Sequence, residues 1–288
     1  MQKLTFGNAL IYGLILFGGL LMILPLYFML VFATQSRETI FSFPPPLTFG
    51  SFEQIASNYN ALMTMTAGTF WRVFWNSFYL ASIATVTTLF FCSLAGYGFA
   101  MYDFKGKNAL FAVVVATQAI PAALNLIPFY LVMNLIGWIN QPKALWFPGM
   151  ASAFGIFLTR QYIQSAIPRE LMDAARVDGC TEFGMFWRII LPLIRPALGT
   201  LGLITFIGVW NEFVLQSLIF RSAETRTLQT LIRAISGGTT ATNVDYGGLM
   251  MGTAITVLPL LIIFILTSRQ LISGLTAGSV KKIGRAHV

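Results

Sequence analysis

Long apolar stretches, free of charge except for Glu212 in the fifth, alternate with more polar segments along the 288-residue chain. The hydrocarbon core of a bilayer, about 30 Å thick, takes roughly 20 apolar residues of helix. Continuous apolar character favours helices over barrel strands, which alternate. The pattern therefore predicts an all-α integral membrane protein with six transmembrane helices. The stretches cover residues 9–33, 73–102, 108–142, 144–159 (extended to about 164), 196–220 and 246–268.

The composition excludes several classes of protein. Hydrophobic residues make up 56% of the chain and charged residues 10%, whereas a soluble domain carries roughly 25% charged residues. A water-soluble globule of this length could not bury so much apolar surface. A soluble enzyme, a disordered chain and a disulfide scaffold are therefore excluded. The two cysteines, Cys92 and Cys180, and the single histidine, His287, lack the spacing of a metal site.

The basic residues orient the predicted helices. With the N-terminus inside, twelve of the 18 Lys and Arg residues fall in inner segments and six in outer ones. Because cytoplasmic segments carry the excess of positive charge, both termini are expected in the cytoplasm. Arg160, at the end of the fourth stretch, is expected to reach the membrane interface with its charge. The net charge of +8 is then loop charge, and nucleic acid is not an expected partner.

The outer segment 34–72 contains three consecutive prolines at 44–46, followed by an amphipathic stretch. Its apolar residues are consistent with a helix lying on the outer membrane surface. An ordinary covering loop accounts for the same pattern, and both interpretations stay open.

The inner segment 165–193 predicts a short helical hairpin outside the membrane. Pro168 can open a first helix over 169–177, because its fixed φ suits a helix start. Gly179 is placed to take the left-handed conformation that ends a helix. Thr181 can cap a second helix, which is expected to end before Pro192. The small side chains of its first helix suit the close approach of a partner, although an ordinary interfacial hairpin is the alternative.

The spacing within this hairpin resembles the EAA motif of ATP-binding-cassette importer permeases. That motif has an acidic residue, two alanines, a glycine after three residues, and Ile-x-Leu-Pro after nine more. Asp173 stands where the family usually has glutamate, so the charge is kept with a shorter reach. The matching residues are Asp173, Ala174, Ala175, Gly179, Ile189, Leu191 and Pro192.

Further segments between about residues 75 and 281 resemble the carbohydrate-uptake branch of these permeases. The similarity is to the smaller, six-span permease of maltose-type importers. It implies the type I importer transmembrane fold in a bacterial inner membrane. It also implies three regions: 1–72, the first helix with the outer segment; 73–273, the core permease domain; and 274–288, a cytoplasmic tail. The similar segments are 95–100, 104–107, 127–130, 154–158, 206, 210–213 and 274–281.

The resemblance also implies partners. These are a second homologous permease forming a heterodimer, two ATPase subunits that hold ATP and Mg, a soluble substrate-binding protein, the sugar and the bilayer. The chain has no Walker A sequence, so it is expected to be non-catalytic and to hold no cofactor or metal. The residues expected to dock the ATPase are Asp173, Ala174, Ala175, Asp178, Gly179, Ile189, Leu191 and Pro192. Gly278, Ser279, Val280 and Lys281 are expected to contact it through the tail.

Glu212 is the single acidic residue deep in a predicted span. An intramembrane charge is costly and is a functional candidate by default. With Trp210 and Asn211 it could line a translocation path for sugar hydroxyls. It could also be a capped structural group, or the centre of a proton- or ion-coupled secondary transporter. A membrane enzyme or anchor is a third class, disfavoured because the chain lacks paired carboxylates and an internal histidine.

Overall fold

The computed structural model describes residues 6–237 and 244–280. Every regular element within those ranges is helical, as the continuous apolar stretches predict. The α-helices are α1 Phe6–Phe32, α2 Arg37–Ile40, α3 Phe52–Met65, α4 Phe70–Met101, α5 Lys107–Ala116, α6 Ala122–Leu135, α7 Lys143–Gly149, α8 Ala153–Ala166, α9 Arg169–Val177, α10 Glu182–Met185, α11 Leu191–Leu193, α12 Arg195–Asn211, α13 Val214–Ile219, α14 Leu228–Ile235 and α15 Tyr246–Val280. A 3₁₀ turn covers Thr117–Ala119, and a π-helical turn covers Phe186–Ile190.

Three helices are each long and apolar enough to cross a bilayer. They are Leu10–Phe32 in α1, Phe70–Met101 and Tyr246–Thr267 in α15, and they match the first, second and sixth predicted stretches. Two further pairs of helices pass the same test only as bent pairs. The described ranges therefore hold three candidate spans, or five if each bent pair is one span.

The third predicted stretch is interrupted at Pro121. Helices on either side of this residue, Lys107–Ala119 and Ala122–Leu135, meet at 102°. Ile120 is extended, with ψ of 117°, because the proline ring disfavours the helical conformation for the residue before it. The 35 consecutive uncharged residues at 108–142 are therefore divided between two short helices and do not form one long helix.

The fourth and fifth stretches are also divided. The fourth contains α7 and the 14-residue α8, whose first turn is capped by the Ser152 hydroxyl accepting from Gly155 N–H at 3.4 Å. The fifth contains α12 and α13, with a break between Asn211 and Val214. The second bent pair joins Glu182–Leu193 to Arg195–Asn211 at 79°.

The described residues separate into two compact units. The first comprises the described residues within 1–72 together with those within 231–258. Within it, the buried Asn58 amide on α3 donates to the carbonyls of Ala33 and Gln35 at 2.9 and 3.0 Å, which holds α3 to the chain leaving α1. A Cβ at Gly247 would lie 2.3 Å from Asn58 Oδ1, so α15 approaches α3 closely. The amphipathic stretch is thus confirmed as a helix.

The second unit comprises residues 73–230 together with the described residues from 259 to 280. In it, α4 and α8 pack with almost no space between their backbones. A Cβ at Gly96 would lie 2.2 Å from Thr159 Oγ1, and that hydroxyl donates to the Cys92 carbonyl at 2.8 Å. Small residues permit such close crossings in membrane helices. This crossing sets the position from which the 165–193 hairpin leaves α8.

Candidate functional site

The first helix of the 165–193 hairpin has the start and the end that its sequence predicts. Pro168 precedes α9 with φ of −65°. At the other end, Gly179 has φ of +78°, its N–H donates to the Arg176 carbonyl at 3.0 Å, and the Cys180 N–H donates to the Ala175 carbonyl at 2.9 Å. These two bonds form a Schellman motif. The turn therefore depends on a residue at position 179 that can adopt the left-handed conformation and donate its backbone N–H.

The second arm begins as predicted but ends later. The Thr181 hydroxyl accepts from the Gly184 N–H at 3.1 Å and caps α10. The expected end before Pro192 is wrong, since the helical path continues through α11 to Leu193. A π-helical turn precedes this proline, and within it the Leu191 N–H donates to the Phe186 carbonyl five residues back. The wider turn relieves the clash between a proline ring and the preceding carbonyls.

The inward face of the hairpin is buried against α4 and α8. Met172 and Ala175 on α9 are both buried, and they join residues of the second arm in one apolar cluster. The hairpin is therefore packed onto the C-terminal ends of α4 and α8 and is held in one orientation to them. The cluster comprises Tyr97, Ala100, Ile163, Ile167, Met172, Ala175, Met185, Phe186, Ile190 and Ile194.

The outward edge of α9 is formed by Asp173, Ala174, Val177, Asp178 and Gly179, all exposed. We call these five residues the docking rim. Ala175 does not belong to it, because it packs into the cluster beneath. Val177 is 88% exposed. The docking residues predicted from the sequence do not include it, although an apolar residue beside Asp178 in a polar turn could have indicated an exposed contact position.

The remaining predicted docking residues lie in the second arm, away from α9 in sequence. Ile189 and Leu191 are half-buried, and Pro192 is exposed. Ile189 and Leu191 pack against the apolar cluster of the hairpin. The structure thus gives them a part in supporting the hairpin, while the docking rim presents the exposed edge.

Arg176 connects the two arms of the hairpin. Its Nη1 donates to Asp173 Oδ1 at 3.0 Å, and its Nε donates to Glu182 Oε1 at 3.1 Å. The second carboxylate oxygen of Glu182 accepts from the Tyr102 hydroxyl at the end of α4. Two ion pairs and a hydrogen bond therefore link the docking rim to the end of α4.

Asp103 makes a second link between the hairpin and the segment after α4. Its Oδ2 accepts from Arg169 Nη1 at 2.9 Å, and its Oδ1 accepts from Lys107 Nζ at 3.0 Å. The bond from Arg169, followed by that from Lys107, lowers the pKa of the Asp103 carboxyl to about 2. Asp103 is therefore ionised throughout the physiological range of pH.

The three residues proposed for a translocation path do not converge on one surface. Trp210 is 1% exposed, with its ring stacked on Phe206 at 5.7 Å and edge-on to Phe74 at 5.7 Å. Asn211 is exposed and accepts from Gln229 Nε2 at 3.4 Å. The indole face is therefore covered by protein, whereas the amide is open.

Glu212 occupies the break between α12 and α13. Its Oε1 accepts from the Leu215 N–H at 2.9 Å and satisfies a donor in the first turn of α13. The Gln216 side chain also bonds within this break, donating from Nε2 to the Val209 carbonyl at 2.7 Å. The geometry matches the interpretation of Glu212 as a capped structural group.

The predicted tail contact falls at the end of α15. Gly278, Ser279 and Val280 are the last residues of that helix. Lys281 lies outside the described residues.

Comparison with known proteins identifies relatives over nearly the whole chain. The family model described as "Binding-protein-dependent transport system inner membrane component" matches residues 89–275. The arabinooligosaccharides transport system permease protein AraQ of Halalkalibacterium halodurans is 33% identical over 278 residues, which are 96% of this chain and 95% of that protein. The lactose transport system permease protein LacG of Rhizobium radiobacter is 33% identical over 272 residues, 94% of this chain and 95% of that protein.

A solved structure has a similar fold. It is the crystal structure of a bacterial ABC transporter involved in the import of the acidic polysaccharide alginate. The matched chain has a TM-score of 0.81 and 20% identity, and the match covers 94% of this chain and 100% of that one.

Proposed function

The chain belongs to the family of binding-protein-dependent transport system inner membrane components, and we propose that it is one of two permease subunits that form the channel of an ATP-driven sugar importer. It is a multi-pass protein of the inner membrane. Members of this family form the channel and are not catalytic subunits. The proposal depends most on one observation, the rigid 165–193 hairpin with its exposed docking rim.

The docking rim is suited to transmit movement from an ATPase subunit. Asp173, Ala174, Val177, Asp178 and Gly179 lie on one edge, since positions four apart share a helix face. Beneath this edge, Met172 and Ala175 are buried. A force applied to the rim therefore reaches α4 and α8 through packed side chains, as alternating access requires. A tail contact through Gly278, Ser279, Val280 and Lys281 would add a second attachment.

Six crossings with both termini in the cytoplasm are the topology that we propose. The three single spans, the bent pair at Pro121 and α12, which follows the second arm of the hairpin, would supply five crossings, and α7 with α8 would supply the sixth. The twofold excess of basic residues in inner segments supports this orientation. It places the 165–193 hairpin on the side where ATP is available.

Neutral oligosaccharides are the proposed substrate class. The two relatives described above are named for arabinooligosaccharides and for lactose. The alginate importer is too distant in sequence to indicate an acidic substrate, and its likeness bears on the fold alone. In the break after α12, Asn211 and Glu212 would supply polar groups to the path, with Trp210 supporting them from behind.

A complete importer would include a second, different permease, two ATPases and a soluble substrate-binding protein. The ATPases would hold ATP and Mg. The ion-coupled alternative gains no support from the relatives. It is further weakened because Glu212 uses one of its oxygens to cap α13.

Uptake into proteoliposomes tests the proposal. The complex, purified with its partners, is reconstituted and supplied with binding protein and radiolabelled arabino-oligosaccharide or lactose. We expect uptake that requires internal ATP and survives an uncoupler. Uptake that proceeds without the ATPase and collapses with the proton gradient would overturn the proposal.

A further inference from the structure

A polar cavity of about 460 Å³ lies between the first turn of α5 and the C-terminal half of α8. None of the docking-rim residues lines it. Two cationic side chains, Lys107 and Arg160, contribute to its wall. The lining residues include Asp103, Lys107, Asn108, Ala109, Arg160 and Gln164.

Arg160 has no anionic partner among the described residues. Its guanidinium lies over the Phe111 ring, 3.9 Å from the ring centroid. Its Nη1 donates a long hydrogen bond to Gln161 Oε1 at 3.4 Å, and its buried Nε has no acceptor among the described residues. A charge withdrawn from water without a counter-charge is destabilising. A half-buried guanidinium, fixed in place by an aromatic ring, therefore indicates a missing anion.

The surrounding charges leave the cavity positive. Asp103 is the acidic residue among its lining residues, and its two oxygens already accept from Arg169 and Lys107. Two cations, Arg160 and Lys107, thus line the cavity with one carboxylate, whose charge is already shared between Lys107 and Arg169. The first turn of α5 adds to this potential, because Gly106 provides no side-chain cap for it and helix N-termini favour anions.

An apolar surface continues from the cavity along α5. Val113 is four residues beyond the cavity-lining Ala109 and shares its helix face, and it is 61% exposed. Ala112, four residues beyond Asn108, is exposed as well. A phosphate group bound at Arg160 would therefore lie next to an exposed apolar surface. Acyl chains can pack against such a surface, whereas a free phosphate ion cannot.

We propose that this cavity binds the phosphate group of an anionic phospholipid of the inner leaflet, with Arg160 as its main ligand and Lys107 beside it. Basic pockets at the cytoplasmic ends of membrane helices are suited to such headgroups. The proposal takes the orientation of the chain from the proposed function. It goes beyond that function, because lipid retention can be measured without transport.

Native mass spectrometry of the assembled importer provides the test. The complex is equilibrated in nanodiscs of phosphatidylglycerol and phosphatidylcholine, released into detergent, and the retained lipids are counted. We expect wild type to retain phosphatidylglycerol selectively. Arg160→Gln should lower its retention by about tenfold, the usual weight of a charge-assisted hydrogen bond.

Two variants distinguish a loss of lipid binding from misfolding and from a general reduction of positive charge. Ala109→Glu introduces a carboxylate into the cavity at the third helical position of α5, where Glu favours the helix, so retention should fall without unfolding. Lys105→Gln removes one exposed positive charge from the same loop but not from the cavity wall, and should retain lipid as wild type does. Equal losses in all three variants, or no loss in Arg160→Gln and Ala109→Glu, would overturn the proposal.

Inorganic phosphate distinguishes the source of the anion. It is titrated against the phosphatidylglycerol-loaded wild type and Arg160→Gln complexes. Phosphatidylglycerol retention that persists when phosphate is added, and that is reduced in Arg160→Gln, supports a lipid ligand. Phosphate binding that depends on Arg160, together with lipid retention that does not, would overturn the lipid assignment. ATP-dependent uptake is measured separately. The lipid-retention result can therefore be interpreted even if the complex does not transport sugar.

Discussion

Arg176 Nε and Glu182 Oε1 are 3.1 Å apart and join the two arms of the 165–193 hairpin across the Gly179 turn. The same guanidinium holds Asp173 on the docking rim at 3.0 Å. The position of the acidic rim residue is thus coupled to the second arm. Through the Tyr102 hydroxyl, it is also coupled to the end of α4.

Loss of this link should impair coupling more than stability. Both side chains are substantially exposed, and such pairs contribute little to stability because water screens them. Arg176→Gln should therefore leave insertion and thermal stability nearly unchanged while it lowers the transport rate. A double-mutant cycle with Glu182→Gln, measured on transport, should show non-additive losses. Simple additivity would mean that the two residues act independently.

The turn at Gly179 should tolerate asparagine but not proline. Proline cannot adopt a φ of +78° and lacks the N–H that bonds to the Arg176 carbonyl. Gly179→Pro should abolish transport and co-purification of the ATPase while the chain still inserts. Gly179→Asn, which tolerates the left-handed region, should retain most of both. Normal ATPase association in the proline variant would contradict the docking proposal.

The crossing of α4 and α8 should be sensitive to one added methyl group. Gly96→Ala places a Cβ 2.2 Å from Thr159 Oγ1, so the helices must separate, at a cost of about 1–3 kcal/mol. Gly98→Ala, two residues along the same helix, meets nothing within 4 Å and serves as the control. Thermal unfolding in detergent should show a lower midpoint for the first variant alone. Equal midpoints would mean that the crossing has room to adjust.

Asp103 should stabilise the hairpin over the whole physiological pH range. Its folded pKa, about 2, lies below the unfolded value of 3.8, so its contribution is present above 3.8 and is lost as the pH falls through about 2. The difference in melting temperature between wild type and Asp103→Asn should be constant from about pH 5 to 8. It should shrink only in more acidic buffer. A difference that varies between pH 5 and 8 would indicate another titrating group.

Glu212 should be replaceable by glutamine. The amide oxygen of Glu212→Gln can still accept from the Leu215 N–H, whereas Glu212→Ala loses this cap, at a cost of about 1 kcal/mol. We expect near-normal ATP-dependent uptake in the first variant and reduced stability in the second. A proton-coupled carrier would behave differently, since loss of the carboxylate would abolish accumulation and its dependence on the pH gradient.

Local features of the hairpin could be predicted because they depend on neighbouring residues. The left-handed turn at Gly179 and the Thr181 cap follow from backbone geometry within a few positions. The end of the second arm could not be predicted in this way. A proline normally ends a helix, but a π-helical turn, stabilised by the burial of Phe186 and Ile190, carries the chain past Pro192.

The sequence by itself determined the membrane class, the apolar stretches, the two-armed hairpin and the spacing of the EAA motif, because these are properties of composition and of local order. Tertiary structure decided which residues are accessible and which are paired. It buried Ala175 while exposing Ala174, enclosed the Trp210 ring, and left Arg160 without a counter-charge among the described residues. The physical reason is that burial and ion pairing depend on residues far apart in the chain, as with Asp103 and Arg169, 66 positions apart. The pattern of hydrophobic and polar residues along the sequence does not indicate which distant residues will pair.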